Sequence, residues 1–201
     1  MRQIRKALKE DKHIIEDLRI SEFNRSNEFK LLRPEKMLWS EKDDTNIILV
    51  VFDENGTAIS TMTGVTVYNT NETEDIISCS IPDTLQFPAM IFTSAATFKP
   101  LRRMGFNQLT RYYFLSYGLV SNIQTFISPV YKNAPRIKFM EMLGYEFVIP
   151  ERNWQTKLNP LSERQLGLLE ASKIPNALSV IKQYKGHIID EYPWQGEPLC
   201  L

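Results

Sequence analysis

The residues of this chain whose types and spacing suggest chemistry lie in the segment Arg102-Arg103-Met104-Gly105-Phe106-Asn107. This segment follows a strand-like stretch, residues 89–98, and it opens a helical pattern. The unpaired amides and the dipole of a helix start attract anions, and Gly105 lets a phosphate approach the backbone closely. The two arginines can add charge-assisted contacts. The segment predicts a phosphate-binding loop, and a solvated basic loop is the alternative for so short a pattern.

A second segment further along the chain has the marks of a capped helix. Asn133-Ala134-Pro135 precedes it, and Phe139-Met140-Glu141-Met142-Leu143-Gly144-Tyr145 ends it. Asparagine is a frequent helix N-cap, proline is tolerated in a first turn, and glycine ends many helices. We therefore expect a helix that begins at Asn133 and ends at Gly144, followed by a strand over residues 145–149.

These two segments, in this order, resemble the GNAT superfamily of N-acyltransferases, which use acyl-coenzyme A. The family's pyrophosphate loop is usually Arg/Gln-x-x-Gly-x-Gly/Ala, and here Asn107 replaces the last small residue. The family also often has an Asn, an Ala and a Phe-Tyr-Glu-Lys-Leu-Gly-Phe-like ending, to which residues 133–145 are similar. The start, Ile4-Arg5-Lys6-Ala7 with Asp11, is similar to the family's first strand and helix. The resemblance covers residues 2–150.

The resemblance implies an α/β (α+β) fold, with a mixed, mostly antiparallel central sheet flanked by helices and a C-terminal extension. The residues agree, because Asn55-Gly56 predicts an antiparallel hairpin and helical crossovers between later strands predict parallel pairing. We expect a GNAT-like domain at residues 1–150. Residues 151–201 are expected to form an extension, with helical stretches broken at Pro175, that packs on the domain or on a partner.

The resemblance also implies the ligands and the residues that bind them. The co-substrate would be acetyl-CoA or a longer acyl-CoA, and the acceptor a small-molecule amine. The backbone of residues 92–98, including Thr97 and Phe98, would bind the pantetheine arm and polarise the thioester carbonyl. The amides of residues 102–107 would bind the pyrophosphate, and Asn133 would contact the cofactor or cap a helix.

The expected catalytic acid departs from the family's pattern. Many members have a tyrosine four residues before the final glycine, where this chain has Met140, which cannot donate a proton. Tyr131 or Tyr145 would then protonate the departing thiolate, and the alternative is that both are partly buried aromatic residues.

The strand at residues 89–98 also lacks the Asp or Glu that often serves as a base. Thr93 and Ser94 would only orient water or hydrogen-bond the substrate. Because the usual positions of the acid and the base lack suitable residues, a non-catalytic CoA-binding module of the same fold is an alternative.

A subgroup of the family shares another feature of this chain. Residues 19–44 contain Arg19, Phe23, Trp39 and the pair Asp43-Asp44, an arrangement similar to that of autoinducer synthases and N-acyl amino acid synthases. Those enzymes take long acyl chains, often from acyl carrier protein, and Trp39 would then bind substrate. The strand before their phosphate loop commonly carries Glu and Arg, which this chain lacks. Trp39 as a core anchor and the two aspartates as a solvated turn are the alternatives.

Composition excludes several other classes of protein. The 201 residues include 24 Lys+Arg and 24 Asp+Glu, and a net charge of zero argues against a nucleic-acid binder. Two cysteines and two histidines have no zinc-type spacing, so we expect no metal. The longest apolar run, residues 47–52, is too short for a membrane span, and residues 1–6 do not begin a secretory signal. We expect a cytoplasmic protein and leave a homodimer open.

Overall fold

The computed structural model describes residues 1–24, 38–150, 164–197 and 199 of the chain. Its strands are β1 (Gln3–Lys6), β2 (Ile47–Phe52), β3 (Ala58–Val67), β4 (Ala89–Thr97), β5 (Thr125–Tyr131), β6 (Glu146–Val148) and β7 (Arg164–Glu170). Its α-helices are α1 (Lys12–Asn24), α2 (Thr70–Ile77), α3 (Phe106–Val120), α4 (Ile137–Met142) and α5 (Ile174–Glu191). Residues 151–163, the first part of the predicted extension, lie outside the described residues, as does Cys200.

The described strands form one seven-stranded sheet in the order β1-β2-β3-β4-β5-β7-β6. Antiparallel pairing joins β1 to β2, β2 to β3, β5 to β7 and β6 to β7, whereas β4 and β5 are parallel. This confirms the predicted mixed, mostly antiparallel sheet. No helix in the described part of the chain is long and apolar enough to cross a membrane.

The hairpin between β2 and β3 forms where the Asn55-Gly56 turn predicts it. The Gly56 amide donates to the Asp53 carbonyl at 3.1 Å, and Gly56 has a φ of 79°, which favours glycine. A bulge at Gly64 is the expectation from its place within a strand pattern, and that expectation is wrong. Gly64 pairs in register with Ile47, and the irregularity lies between Val51 and Phe52 instead.

Helix α2 corrects the prediction for residues 69–81. Their polar start predicts a loop and their apolar end a short strand, but residues 70–77 are helical. The Asn69 side chain accepts from the Glu72 amide at 3.0 Å, and the Glu72 carboxylate accepts from the Tyr68 amide at 2.8 Å. These contacts satisfy the Glu72 amide in the first turn and the Tyr68 amide just before the helix, a local signal that the polar composition hides.

The described part of the C-terminal region contains a strand as well as a helix. Strand β7 is hydrogen-bonded on both sides, to β5 and to β6, so a leucine-rich stretch predicted as helical is a buried strand. Pro175 lies in the first turn of α5 and begins that helix rather than breaking it, because a first-turn residue needs no backbone N–H.

Two predicted helix boundaries are also wrong. Helix α4 begins at Ile137 with Arg136 as its N-cap, so Asn133 does not cap it. Gly118 predicts a C-terminal end for α3, but α3 continues through it, and a β-carbon there would lie 2.2 Å from Cζ of the buried Phe126. Gly118 thus serves packing rather than termination. The predicted end of α4 is confirmed, since Gly144 follows it with a φ of 91°.

The contacts divide the chain into two units. Unit 1 comprises Met1–Gly64, Ser94–Phe114 and Ile181–Leu201, and unit 2 comprises Val65–Thr93 and Leu115–Val180. Each contains its own apolar cluster. The cluster of unit 1 includes Ile15, Ile48, Val50 and Ala96. The cluster of unit 2 includes Ile91, Ile127, Leu166 and Cys79. Both units contain residues from either side of position 150, so the domain boundary predicted there stays a prediction.

Candidate active site

Strand β4 contains a residue in an unusual backbone conformation. Ser94 has a φ of 47°, in the left-handed region that costs a residue with a side chain about 1–2 kcal/mol. A residue in this conformation turns its peptide groups away from the regular ladder, as in a β-bulge. Nothing in the sequence signals the turn, since serine replaces the glycine that would mark it. The strain falls in the stretch predicted to bind the thioester, and such strain is concentrated at functional sites.

The parallel pairing of β4 with β5 is short. In unit 2 it joins Ala89–Ile91 to Thr125–Ile127, although both strands continue beyond these residues. Among the described residues the ladder between them ends there. The end of a ladder inside two continuing strands is a place where an extended ligand can form main-chain hydrogen bonds.

The segment after β4 has the backbone geometry of an anion-binding loop. A 3₁₀ turn over Lys99–Leu101 is followed by Arg103 at φ 71° and Gly105 at φ 115°. The Leu109 amide donates to the Gly105 carbonyl at 2.9 Å, and the amides of residues 106–108 have no acceptor in the part of the chain that the structure describes. These amides and the helix dipole together favour an anion at the start of α3.

The two arginines of the loop have different surroundings. The Arg102 guanidinium donates from Nη2 to Glu22 Oε2 at 3.0 Å and from Nε to the Thr97 carbonyl at 3.3 Å. The Glu22 side chain is 2% exposed, so this pair joins helix α1 to the loop. Arg103 is exposed and has no anionic partner among the described residues. Its side chain is available to a ligand, whereas that of Arg102 is committed to Glu22.

The other predicted cofactor residues in unit 1 have structural or exposed positions. Phe106 is buried, and its ring packs edge-on against Tyr192 with centroids 5.2 Å apart. The Thr97 hydroxyl hydrogen-bonds to the Ser60 hydroxyl at 2.9 Å. Three more of these residues are at least partly exposed: Phe98, Met104 and Asn107.

Trp39 lies beside a shallow cavity of about 250 Å³ in unit 1. Its indole N–H donates to Asp44 Oδ1 at 2.8 Å, and its amide donates to Glu16 Oε1 at 2.7 Å. Asp43 and Lys6 also line the cavity. Trp39 also packs against the apolar cluster of unit 1, so the core-anchor interpretation holds for part of its ring.

Arg19, from the same sequence pattern, is a buried cation. It is 1% exposed, and Nη2 donates to the Thr63 hydroxyl at 2.9 Å and lies 3.6 Å from Asp43 Oδ1. Burial lowers the pKa of Arg19, while the neighbouring Asp43 opposes that shift. Its Nε has no hydrogen-bond partner in the described structure. The pattern thus places Arg19 beside Asp43 and Trp39 beside Asp44.

Unit 2 contains the two tyrosines predicted as catalytic acids. The Tyr131 hydroxyl accepts a hydrogen bond from Arg164 Nη2 at 2.9 Å, and the guanidinium also stacks on the ring, 4.9 Å from its centroid. Tyr145 is only 4% exposed, and Met140 is buried at 2%. The proton of the Tyr131 hydroxyl has no acceptor among the described residues, and Tyr131 is more exposed than Tyr145.

Three further predicted site residues occupy surface or intermediate positions. Thr93 belongs to unit 2 and Ser94 to unit 1, and both side chains are partly exposed on β4. Asn133 is exposed in the turn that precedes α4. Within the described residues, no group of three or more His, Cys, Asp or Glu side chains is arranged to hold a metal ion.

Sequence reasoning missed two residues that surround the phosphate loop. Glu22 lies far from Arg102 in the chain, and no local spacing links them. Lys185, from helix α5, has its Cδ 2.9 Å from the position of a β-carbon on Gly105. Because the C-terminal residues carry no motif, only the fold reveals this contact.

Comparisons with known proteins give the fold a name. No protein-family model matches the sequence, and no curated protein matches it in sequence. The structure is similar to a CoA-dependent acyl-homoserine lactone synthase solved with SAM and isopentyl-CoA, with a TM-score of 0.65 at 10% identity over 92% of this chain and 90% of that one. It is similar to an N-acetyltransferase from Staphylococcus aureus, with a TM-score of 0.58 at 11% identity over 85% of this chain and 99% of that one.

A third similar structure is a proposed acetyltransferase from Salmonella typhimurium that contains acetyl-CoA. Its TM-score is 0.59 at 13% identity, over 85% of this chain and 94% of that one. The chain therefore has the GNAT fold, in agreement with the expectation from its motifs. At such low identity the likeness establishes the fold alone.

Proposed function

We propose that this protein is an N-acyltransferase that moves an acyl group from a coenzyme A thioester to an amine by direct attack. The observation that carries the proposal is the loop before α3. Arg103 and Gly105 have positive φ values there, and the amides of residues 106–108 lack acceptors among the described residues. On a GNAT fold, a loop of this geometry suits the pyrophosphate of coenzyme A.

The roles of the backbone follow from this placement. The acceptor-free amides of residues 106–108 bind the pyrophosphate, and the exposed Arg103 adds a charge-assisted contact. The pantetheine arm extends along β4, where the ladder to β5 ends after Ile91. The left-handed conformation of Ser94 turns a backbone N–H out of the strand, and this N–H donates to the thioester carbonyl oxygen and stabilises the negative charge that forms there.

The reaction then needs one bond made and one bond broken. The lone pair of a neutral amine attacks the thioester carbon, and an N–C bond forms as the carbonyl oxygen becomes negative. The intermediate collapses, the C–S bond breaks, and the amine proton is lost to water. We assign protonation of the coenzyme A thiolate to Tyr131, and the Arg164 guanidinium stabilises the negative charge that develops on its oxygen.

Isothermal titration with coenzyme A and acetyl-CoA tests the cofactor half of this proposal. We expect a single site, weakened about tenfold or more in Arg103→Glu, because the substitution replaces an attractive charge with a repulsive one. A matched control is Arg136→Glu, which changes an exposed arginine of unit 2 outside the loop. Absence of binding by the folded wild type, or equal affinity for wild type and Arg103→Glu, would contradict the assignment.

A second candidate is a long-chain acyltransferase of the autoinducer-synthase or N-acyl amino acid synthase kind. The observation in its favour is that Arg19 lies 3.6 Å from Asp43 and Trp39 hydrogen-bonds to Asp44. We infer that the cavity lined by Trp39, Asp43 and Asp44 faces the acceptor, since its two carboxylates fit an acceptor that carries an amine.

Kinetics with a series of acyl-CoA lengths separates the two candidates. The second candidate predicts preference for long acyl-CoA or acyl carrier protein, and acylation of an amino acid or S-adenosylmethionine. A strict preference for acetyl-CoA supports the first candidate. Coenzyme A binding without thiol release over any amine panel would indicate a non-catalytic binding module instead.

A further inference from the structure

The C-terminal helix α5 places a lysine over the phosphate loop of unit 1. A β-carbon on Gly105 would lie 2.9 Å from Lys185 Cδ and 3.5 Å from Lys185 Cε. The lysine stem therefore covers the glycine that opens α3, and its ammonium is one bond beyond Cε. Since Gly105 precedes the amides assigned to the pyrophosphate, this cation lies beside the same site.

The backbone at Lys185 departs from the helix that contains it. Its φ of −136° and ψ of 15° are not helical, so α5 kinks at this residue. Contacts on the far side of the kink hold α5 on the loop. Ile188 Cδ1 lies 3.0 Å from the same β-carbon position on Gly105, and Tyr192 packs on Phe106 at the start of α3. The position of Lys185 over Gly105 is thus fixed by packing.

The Lys185 ammonium has no charged or hydrogen-bonding partner among the described residues. The stem of its side chain is half-buried. Lys182, one turn earlier on α5, differs because its ammonium lies 5.7 Å from the ring centroid of Tyr112. An ammonium with no anion, held beside acceptor-free amides and the equally unpaired Arg103, indicates that the anion is a ligand.

We propose that Lys185 binds the pyrophosphate of coenzyme A, so that the C-terminal helix completes the cofactor site. This inference rests on the proposed function. Helix α5, which lies outside the phosphate-loop motif, would thereby contribute a cofactor-binding residue. Lys185 is a binding residue and takes no part in proton transfer.

The test compares Lys185→Gln, which removes the charge and keeps a polar side chain one atom shorter, with Lys185→Arg and with Lys182→Gln as the matched control. Binding of coenzyme A and of dephospho-coenzyme A is measured by calorimetry, and the KM for an acylated pantetheine is measured alongside. We expect Lys185→Gln to weaken the binding of both nucleotides about 10- to 150-fold, the effect of one charged hydrogen bond, with kcat unchanged. The KM for the phosphate-free donor should not change, Lys185→Arg should retain affinity, and Lys182→Gln should resemble wild type.

Several outcomes would overturn the inference. Unchanged coenzyme A affinity in Lys185→Gln would sink it while leaving the proposed function intact. If Lys185→Gln weakens the binding of coenzyme A but not that of dephospho-coenzyme A, Lys185 contacts the 3′-phosphate. That result would reject the pyrophosphate assignment. Equal losses for the phosphate-free donor would indicate a merely structural role. Failure of the wild type to bind coenzyme A would reject the proposed function and, with it, this inference.

Discussion

At the scale of single residues, the site is built from charges with unequal surroundings. Arg102 and Arg103 are adjacent and look equivalent in the sequence, yet one is tied to the buried Glu22 and the other is unpaired among the described residues. The motif predicts the loop because glycine and a helix start are local features. It does not distinguish the two arginines, because the partner of Arg102 comes from a helix distant in the chain.

Substitution of the two arginines should separate stability from binding. We expect Arg102→Ala to lower the free energy of unfolding by about 1–2 kcal/mol, because a buried carboxylate loses its charged partner. Arg103→Ala should leave stability within about 0.5 kcal/mol and weaken coenzyme A binding. Urea denaturation and calorimetric titration of both variants measure the two effects, and the reverse pattern would refute the assignment.

A second residue-scale prediction concerns the Arg5–Asp11 pair near the N-terminus. Burial would raise the pKa of Asp11, but hydrogen bonds from Arg5 and from the Leu8 amide outweigh it, and the net pKa is lowered. The guanidinium donates at 2.6 and 2.9 Å to the two carboxylate oxygens. Since the folded pKa lies below the unfolded one, the pair stabilises the protein above the unfolded pKa of about 4, and the contribution is lost as pH falls through the folded value.

We therefore expect Asp11→Asn to lower the free energy of unfolding by about 2 kcal/mol at pH 7. The difference from wild type should shrink as the pH is lowered from about 5 towards 2. Urea titrations at several pH values measure it. A difference that does not change with pH would show that the charge of Asp11 is irrelevant.

At the scale of elements, the sequence predicts correctly those helix and strand boundaries that hydrophobic periodicity and turn residues determine locally. The β2–β3 hairpin and the end of α4 at Gly144 are correct for that reason. The misassignment of β7 arises because long-range strand pairing decides, whereas that of α2 arises because a local capping signal is hidden. The Asn69–Glu72 capping is concealed by a polar composition, and β7 is a strand because β5 and β6 flank it.

The two helical glycines allow a matched test of element packing. A methyl group at Gly118 would meet Phe126 at 2.2 Å, whereas one at Gly186 has nothing within 4 Å. We expect Gly118→Ala to destabilise by about 1–3 kcal/mol through overpacking. Gly186→Ala should not destabilise, since alanine is the better helix former by about 1 kcal/mol. Thermal unfolding of both variants decides, and a harmless Gly118→Ala would contradict the close packing described here.

At the scale of the whole molecule, the C-terminal segment belongs to the same unit as the N-terminal strand and the phosphate loop. The Ile4 amide donates to the Pro193 carbonyl at 3.1 Å, and the Gln195 amide donates to the Ile4 carbonyl at 2.9 Å. Trp194 also packs on Tyr113 of α3, with ring centroids 5.1 Å apart. The segment thus covers part of the edge that β1 would otherwise present. The sequence shows only that these residues are apolar enough to pack on something.

Removal of residues 192–201 should uncover the edge of β1 and remove the Tyr192 ring that packs on Phe106. We expect a lower melting temperature and concentration-dependent self-association, because exposed strand edges pair with other chains. Light scattering and thermal unfolding measure both effects. A truncated protein that stays monomeric with an unchanged melting temperature would show that the segment does not protect the edge.

We propose that this GNAT-fold chain transfers an acyl group from coenzyme A to an amine. The most direct measurement is release of free coenzyme A thiol from a series of acyl-CoAs, with and without a panel of amines, joined to mass spectrometry of the acylated product. We expect thiol release that requires the amine and yields an equal amount of acylated amine. Coenzyme A binding with no amine-dependent release for any chain length would contradict it.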